Sequence, residues 1–559
     1  NYELSIPAPE SHEVDVMMTL DKVTGSEVLV KIPVWTPGSY LVREFAKNIG
    51  PLKVTDGKGN ELKVSKTKKN AWSISTNGAK QLNIAYTVYC YELSVRTSFI
   101  DEAMAYINPS SVFIYVDDRQ KEAHAFSFKN VSIKDGKHVA SDYDLLVDTP
   151  ILVSNHEKYS FKDAGKTYHL AIEGDGNYDV EQMKTDLTKV VSTTAKVVDR
   201  GRPYDDYTFI VLNTDNSYGG LEHLFSTSLI YPRDRYANPD QYFGFLSLAC
   251  HEYFHLWNVK RIRPIELGPF NYDEENYTKQ LWVAEGVTSY YDEYLMLRAD
   301  IINADEYLTK LSRGIANTEN TPGNTQQSLA DASYDAWIKF YRRDEISSTC
   351  CISYYTKGAV VSAMLDLEIR QSTKNKKNLD HVMQHLWDEY YVAKDRGFSE
   401  EEMIDAVSTV TGKDMRWFFD DYIYDVTTMD YNKFLGYAGL KLDRNKANRP
   451  FLGLGTAVEN GATVATRVTP LAAAQTAGVL EGDEIIAVGD YRINGNLGEV
   501  MSNFSIGDQT TITLSRKGKI MQLDVSLGAN PRLNYTIGKL ENASKQQKDI
   551  YRDWIGSSF

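Results

Sequence analysis

At residues 251–255 the sequence reads HEYFH, and this short string constrains the chain more than any other. Residues four apart project from the same face of a helix, so His251 and His255 can present two imidazoles to one metal ion. Glu252 lies beside them, close enough to act on a metal-bound water. Zinc lowers the pKa of such a water to about 7, where a carboxylate can take its proton as it attacks a carbonyl. The preceding residues (Phe243, Phe245, Leu246, Leu248, Ala249) are apolar around the whole helix, which predicts burial. Buried imidazoles need partners. Asn238, Pro239 and Asp240 supply the cap, first position and acidic first turn of a helix running to about Val259.

A zinc site that keeps one position open needs a third protein ligand. Glu285, in LWVAEGVTSYYDEY, fits that role on a second helix expected over about Thr278 to Arg298. A carboxylate inside an apolar helical stretch is costly unless it is paired or bound to a metal. Thr288 and Ser289, one turn later, are candidates to hydrogen-bond the ligands. His381 and His385 repeat the four-residue spacing without an acidic residue between them, on an amphipathic helix, and read as structural.

The 559 residues correspond to about 3.7 domains at roughly 150 residues each. The N-terminal part alternates in period two (Val14, Val16, Met18, Leu20; Leu82, Ile84, Tyr86, Val88, Cys90), which puts one set of side chains on a buried sheet face. Helical spacing begins near Asp179 and dominates from Ala304 to about Tyr424, with one polar loop at 317–327. After about Gly436 short strands return, and about 540–555 reads as a short charged helix.

The formal net charge is −15 (61 basic against 76 acidic residues), which disfavours binding to nucleic-acid phosphates. No apolar run approaches the roughly 18–20 residues of a membrane span. Four cysteines (Cys90, Cys250, Cys350, Cys351) are too few for a disulfide scaffold and read as free thiols.

HExxH followed by a helix carrying WxxEG resembles the gluzincin peptidases, the clan of thermolysin and aminopeptidase N. HEYFHLWNVKRIRP and, near the N-terminus, VWTPGSYLVREFAKNI (34–49) resemble the glycyl aminopeptidase family within that clan, whose members also carry a C-terminal PDZ domain. The resemblance implies a multidomain α+β chain. A β-sandwich or saddle-like domain spans 1–172, a thermolysin-like zinc domain 173–300, an α-helical domain 301–436 and a PDZ domain 437–530. A tail with a short helix spans 531–559.

It also implies roles by position. GGLEH (219–223) resembles the G-x-M-E-N segment, in which the glutamate grips the substrate's free α-amine and the adjoining strand orients the peptide. That assigns Glu222, with Gly219 and Gly220, to substrate binding, although Leu221 and His223 depart from the pattern. YYTKG (354–358) resembles the Y-x-K-G segment carrying an oxyanion-stabilising tyrosine, here Tyr355 with Tyr354 as its competitor. The spacer between His255 and Glu285 is longer than in aminopeptidase N, and its extra segment (about 258–276) is expected to form a loop that narrows the pocket.

FLGLG (451–455), RVTPLAAAQTAGVLEGDEIIAVG (467–489) and TTITLSRKG (510–518) match the loop, core and terminal strand of a PDZ domain. Such a domain adds an extended peptide to a sheet edge and holds its terminal carboxylate.

The leading expectation is a zinc aminopeptidase. His251, His255 and Glu285 hold Zn2+, Glu252 activates the zinc-bound water, Tyr355 stabilises the oxyanion, and Glu222 selects peptides with a free N-terminus. The family implies a preference for glycine or alanine as first residue. The alternatives are a PDZ-assisted endopeptidase and a PDZ peptide-binding protein with a vestigial metal site. The start at Asn1 and the family's habit favour an exported, periplasmic protein over a cytoplasmic one. An acidic surface around Glu222 would attract the positively charged amine end of substrates.

Overall fold

The two alternating runs of the N-terminal part pair with each other. In the computed structural model, which describes residues 1–129, 136–446 and 448–559, strands Glu13–Asp21 and Gln81–Tyr89 lie antiparallel with Val14 opposite Val88 and Val16 opposite Tyr86. Their inward residues are buried while the alternate ones stay at least partly exposed, as period two requires. They form the centre of a six-stranded sheet whose inner face shares one core with a four-stranded sheet built around Glu27–Lys31 and Ala71–Ser75.

A five-stranded sheet follows, in the order Glu157–Asp163, Lys166–Glu173, Asp206–Thr214, Ser226–Pro232, Gly219–Glu222. The second, third and fourth strands run parallel; the last is an antiparallel edge. The expected boundary between residues 172 and 173 falls inside this sheet. Helix α1 (Val180–Val198) and helix α2 (Pro239–Phe254) pack against each other beside it. Asn238 caps α2 by accepting from the Gln241 amide, with Pro239 at its first position. The helix stops at Phe254, short of the expected Val259, and continues as hydrogen-bonded turns; His255 is its C-cap.

The expected second helix also differs. Residues Trp282–Val287 form a wide π-helical turn that leads into helix α3 (Thr288–Arg298). Helix α4 (Ala304–Glu319), held by a reciprocal Asn303–Glu306 capping box, and helix α5 (Thr356–Ser372) pack on each other and on α3. The π-turn is an extra-residue bulge of the kind found at functional sites. It lies against α5 at two glycines: a side chain on Gly286 would collide with the Gly358 backbone, and one on Gly358 with Gly286. Between α4 and α5 the chain is broken into short helical turns rather than the single loop expected at 317–327.

The PDZ-like unit is a sheet in the order Leu454–Glu459, Ala462–Val468, Glu484–Val488, Gln509–Arg516, Lys519–Ser526, with its own small core. Leu454–Glu459 is an edge strand. The preceding loop turns at Gly453, whose φ of 86° and contact with Ala472 exclude a side chain. Strand Leu440–Lys446, before this unit, pairs along its whole length with Leu533–Lys539 after it. The segment expected to be a tail thus returns to the helical region. Helix α6 (Lys545–Ile555) buries Ile550, Tyr551, Trp554 and Ile555, and Trp554 donates its ring N–H to the Tyr290 hydroxyl. Among the described residues no helix is long and apolar enough to cross a membrane, and all four cysteines are free thiols.

Candidate active site

Helix spacing places His251 and His255 on one face of the end of α2, and the π-turn carries Glu285 to meet them. Glu285 Oε2 lies 3.3 Å from His251 Nε2 and 3.2 Å from His255 Nε2. Three corners of a tetrahedron whose centre is 2.0–2.1 Å from each would stand about 3.3–3.4 Å apart, so both N–O separations are those a four-coordinate zinc requires, and all three ligand atoms lie within 4.8 Å of one another. The other ring nitrogens are already committed. His251 Nδ1 is 2.9 Å from Asp292 Oδ2, and His255 Nδ1 is 2.6 Å from the Asn258 carbonyl. Both Nε2 atoms therefore face inward, as ligating imidazoles oriented by a carboxylate or carbonyl do. Glu285 is 2% exposed. Burial opposes its charge, yet His255 and His251 hold its carboxyl well below the usual carboxylate range.

Asn258 also fastens the two ligand-bearing elements together. Its side-chain amide donates to the Val283 carbonyl at 2.8 Å and to Thr288 Oγ at 3.1 Å. Thr288 donates in turn to the Ala284 carbonyl. Thr288 thus acts on the turn that holds Glu285, while Ser289 lines the cavity. Asp292 and Asn258 are the site residues that the sequence reading missed. Asp292 lies seven residues, two helical turns, beyond Glu285, so it shares the metal-facing side; that spacing was the available signal.

Glu252 is 5% exposed, and one of its oxygens, Oε2, has no hydrogen-bond partner within the protein. Burial raises its pKa, with the carboxylates of Glu222 and Glu285 adding to the effect and His251 and His255 opposing it. Gly220 stands directly over it: a side chain there would overlap the Glu252 carboxylate. The Gly220 carbonyl accepts from Arg96 Nη2 at 3.1 Å. Gly219 and Gly220 both line the cavity, as expected, but Gly220 acts by leaving room for Glu252, and its carbonyl is already taken.

Glu222 ends the edge strand of the five-stranded sheet. It is 4% exposed, and its Oε1 also lacks a partner within the protein. Glu222, Glu252 and His255 offer ligand atoms that all lie within 4.8 Å of one another. Gly38 fits closely over it, since a Cβ there would stand 2.6 Å from both carboxylate oxygens. The departures from the family pattern have structural places: Leu221 is in a small apolar cluster, and His223 is held by buried Asp148, itself 2.6 Å from Lys260.

Tyr355 lines the same cavity of about 550 Å³, with its ring centroid 6.2 Å from that of His251. Tyr354 does not line it and is fully buried. Tyr341, whose hydroxyl is 3.1 Å from that of Tyr355, does line it. The expected pocket-narrowing segment (258–276) is instead drawn away to the N-terminal β region: Trp35 donates to the Asn271 carbonyl, and Asp273 pairs with Lys31 at 2.7 Å. It is absent from the lining of this cavity but contributes Val259, Lys260, Arg261, Arg263, Leu267 and Phe270 to a neighbouring one of about 370 Å³ that shares Gly38 and Glu222 with it. His381 caps its own helix through Asn378, a structural role as expected.

Residues 1–155 match the family described as Peptidase M61 N-terminal domain, 244–361 the M61 glycyl aminopeptidase, and 450–527 the PDZ domain. A crystal structure from Idiomarina loihiensis, described as an aminopeptidase N family protein, is similar over 99% of both chains at 28% identity, with a TM-score of 0.92. The N-terminal and central parts of the present chain are thus similar to the M61 glycyl aminopeptidase family. The chain is a metallo-aminopeptidase with a PDZ domain. The M1 zinc metallopeptidase of Deinococcus radiodurans superposes with a TM-score of 0.48 at 12% identity, covering 77% of this chain and 93% of that one. No curated protein matches the chain.

Within this metallopeptidase the two neighbouring tyrosines can be separated. Tyr355→Phe removes a phenol donor from the cavity, and the expected result is a loss of kcat of about 10²–10³-fold with KM little changed. Tyr354→Phe is expected to leave kcat within about threefold. Steady-state kinetics on one peptide substrate checks both; equal losses would show a packing effect rather than a donor lost from the cavity.

Proposed function

We propose that this chain is a zinc aminopeptidase that removes small first residues, glycine or alanine, from peptides with a free N-terminus. The observation that carries the reading is that buried Glu222 stands beside Glu252 and His255, each carboxylate with an oxygen that the protein leaves unpartnered. Buried carboxylates in such proximity call for a cation. A substrate ammonium on Glu222 supplies one. Its nitrogen is about 2.5 Å from the carbon of its own carbonyl, so the first peptide bond, and no later one, comes to the His251–His255–Glu285 group.

Zinc, when bound by these three residues, supplies a Lewis acid that makes water nucleophilic near neutral pH and polarises the carbonyl. Glu252 takes the proton of the attacking water and passes it to the leaving amine. Tyr355 donates a hydrogen bond to the oxygen on which charge develops, with Tyr341 orienting its hydroxyl. The family's glycyl preference fits a cavity walled by Phe340, Tyr341 and the close-lying Gly38, which leaves little room beside the first α-carbon. The PDZ unit, with its free edge strand Leu454–Glu459, is a site for an extended peptide end.

The test uses matched peptides with free and acetylated N-termini. Acetylation is expected to abolish turnover. Glu222→Ala is expected to lower kcat/KM on free-amine peptides by about a hundredfold, the scale of losing one partner of a buried charge pair. Cleavage of acetylated peptides at comparable rates would establish the endopeptidase reading instead.

A further inference from the structure

The cavity at the metal group continues into a second one of about 410 Å³. Ser247, Ser289, Asp292 and Tyr355 line both. Glu222, Gly38 and Gly220 line only the first, so the second opens on the side away from the amine anchor, where the rest of a peptide must pass. Two cations stand in its wall, Lys310 and Arg313, three residues apart on one face of α4.

Neither belongs to a structural ion pair: among the described residues, no carboxylate lies within 4 Å of either. Glu293, in the same cavity, exerts only a longer-range attraction on both. Lys310 is held by a different partner. Its ammonium sits 3.6 Å from the centre of the Phe243 ring, in the wall of an adjoining cavity of about 720 Å³ that Lys310 and Arg313 also line, a contact that restrains the charge without neutralising it.

The separation from the metal group can be gauged along the chain. Glu285 and Glu293 are eight residues apart, roughly 12 Å at the helical rise. An extended peptide advances about 3.3–3.6 Å per residue. That span corresponds to about three to four residues of extended peptide beyond the bond being cut. We infer that Lys310 and Arg313 form a subsite for the substrate's terminal carboxylate, so that the enzyme selects short peptides of about four to five residues, free at both ends. This rests on the aminopeptidase reading, since Glu222 sets where counting begins.

The test compares Gly-Ala-Ala-Ala with its C-terminal amide, using wild type and the double variant Lys310→Gln/Arg313→Gln. Wild type is expected to favour the free acid about tenfold in kcat/KM. The double variant should lose that preference through a slower reaction with the acid alone; an unchanged rate on the amide shows that its fold and metal group are intact. Equal rates on the two peptides in wild type would overturn the subsite while leaving the aminopeptidase reading in place, as would a preference that survives in the double variant. No cleavage of either peptide by wild type would remove the reading on which the subsite rests.

Discussion

Glu252→Gln is expected to cut turnover by about 10³–10⁴-fold while one zinc per chain stays bound. The substitution keeps the shape of a side chain that fits closely under Gly220, so packing should not change. What it removes is the ability to accept a proton, and a positioned acid–base group contributes up to about 10⁴-fold. The proposed metal ligands His251, His255 and Glu285 are untouched, and the orientation of both imidazoles depends on Asp292 and Asn258 rather than on Glu252. The variant should also unfold at an equal or higher temperature, because a buried carboxylate that costs stability is exchanged for a neutral amide. Metal content, kcat and a thermal melt on the same preparation check all three. Full activity with zinc in place would mean that another group moves the proton.

The second large effect is expected at Glu285. Glu285→Ala takes one of the three proposed ligands from the site, and should leave a folded protein that neither retains zinc through dialysis nor cleaves peptides at a detectable rate. The fold is expected to survive, because the turn that carries Glu285 is held independently by Asn258 and Thr288 and by the Gly286–Gly358 approach. Asp292→Asn provides the graded comparison. It leaves the ligand set intact but weakens the acceptor that orients His251, and the expected cost is about 10–100-fold in zinc affinity. Chelator competition separates the two variants. Equal zinc retention by Glu285→Ala and wild type would take Glu285 out of the ligand set.

The meeting of His251 and His255 on one face was legible in the sequence because four-residue spacing and an apolar helix are local signals. Glu285 could be found because a carboxylate in an apolar stretch needs a reason. Asp292 was two turns further on in the same segment, yet among 76 acidic residues its role shows only when the helix is placed. The carbonyl of Asn258 has no side-chain signature at all, and its use follows from α2 ending at Phe254. The π-turn at 282–287 reads as ordinary helix from its composition, since the wide turn is imposed by packing against Gly358. The segment at 258–276 was misplaced for a related reason: its anchors, Trp35 and Lys31, are more than two hundred residues earlier in the chain. The pairing of 440–446 with 533–539 is likewise non-local, and neither strand alone announces its partner.

That last pairing has a topological consequence. The PDZ unit is an excursion within a single hairpin, entered along one strand and left along the other, and the hairpin is fixed to α4 by Ser312 and by two hydrogen bonds between Asn320 and Leu533. Beyond it, Trp554 reaches the tyrosines of α3, the helix that carries Asp292. Cutting the chain ahead of the PDZ unit would therefore strip a structural plug from behind the metal group along with the module itself. Joining residue 446 to residue 533 through a short turn would instead excise the module and spare the plug. The catalytic body and its peptide-binding attachment are separable by splicing, and not by truncation.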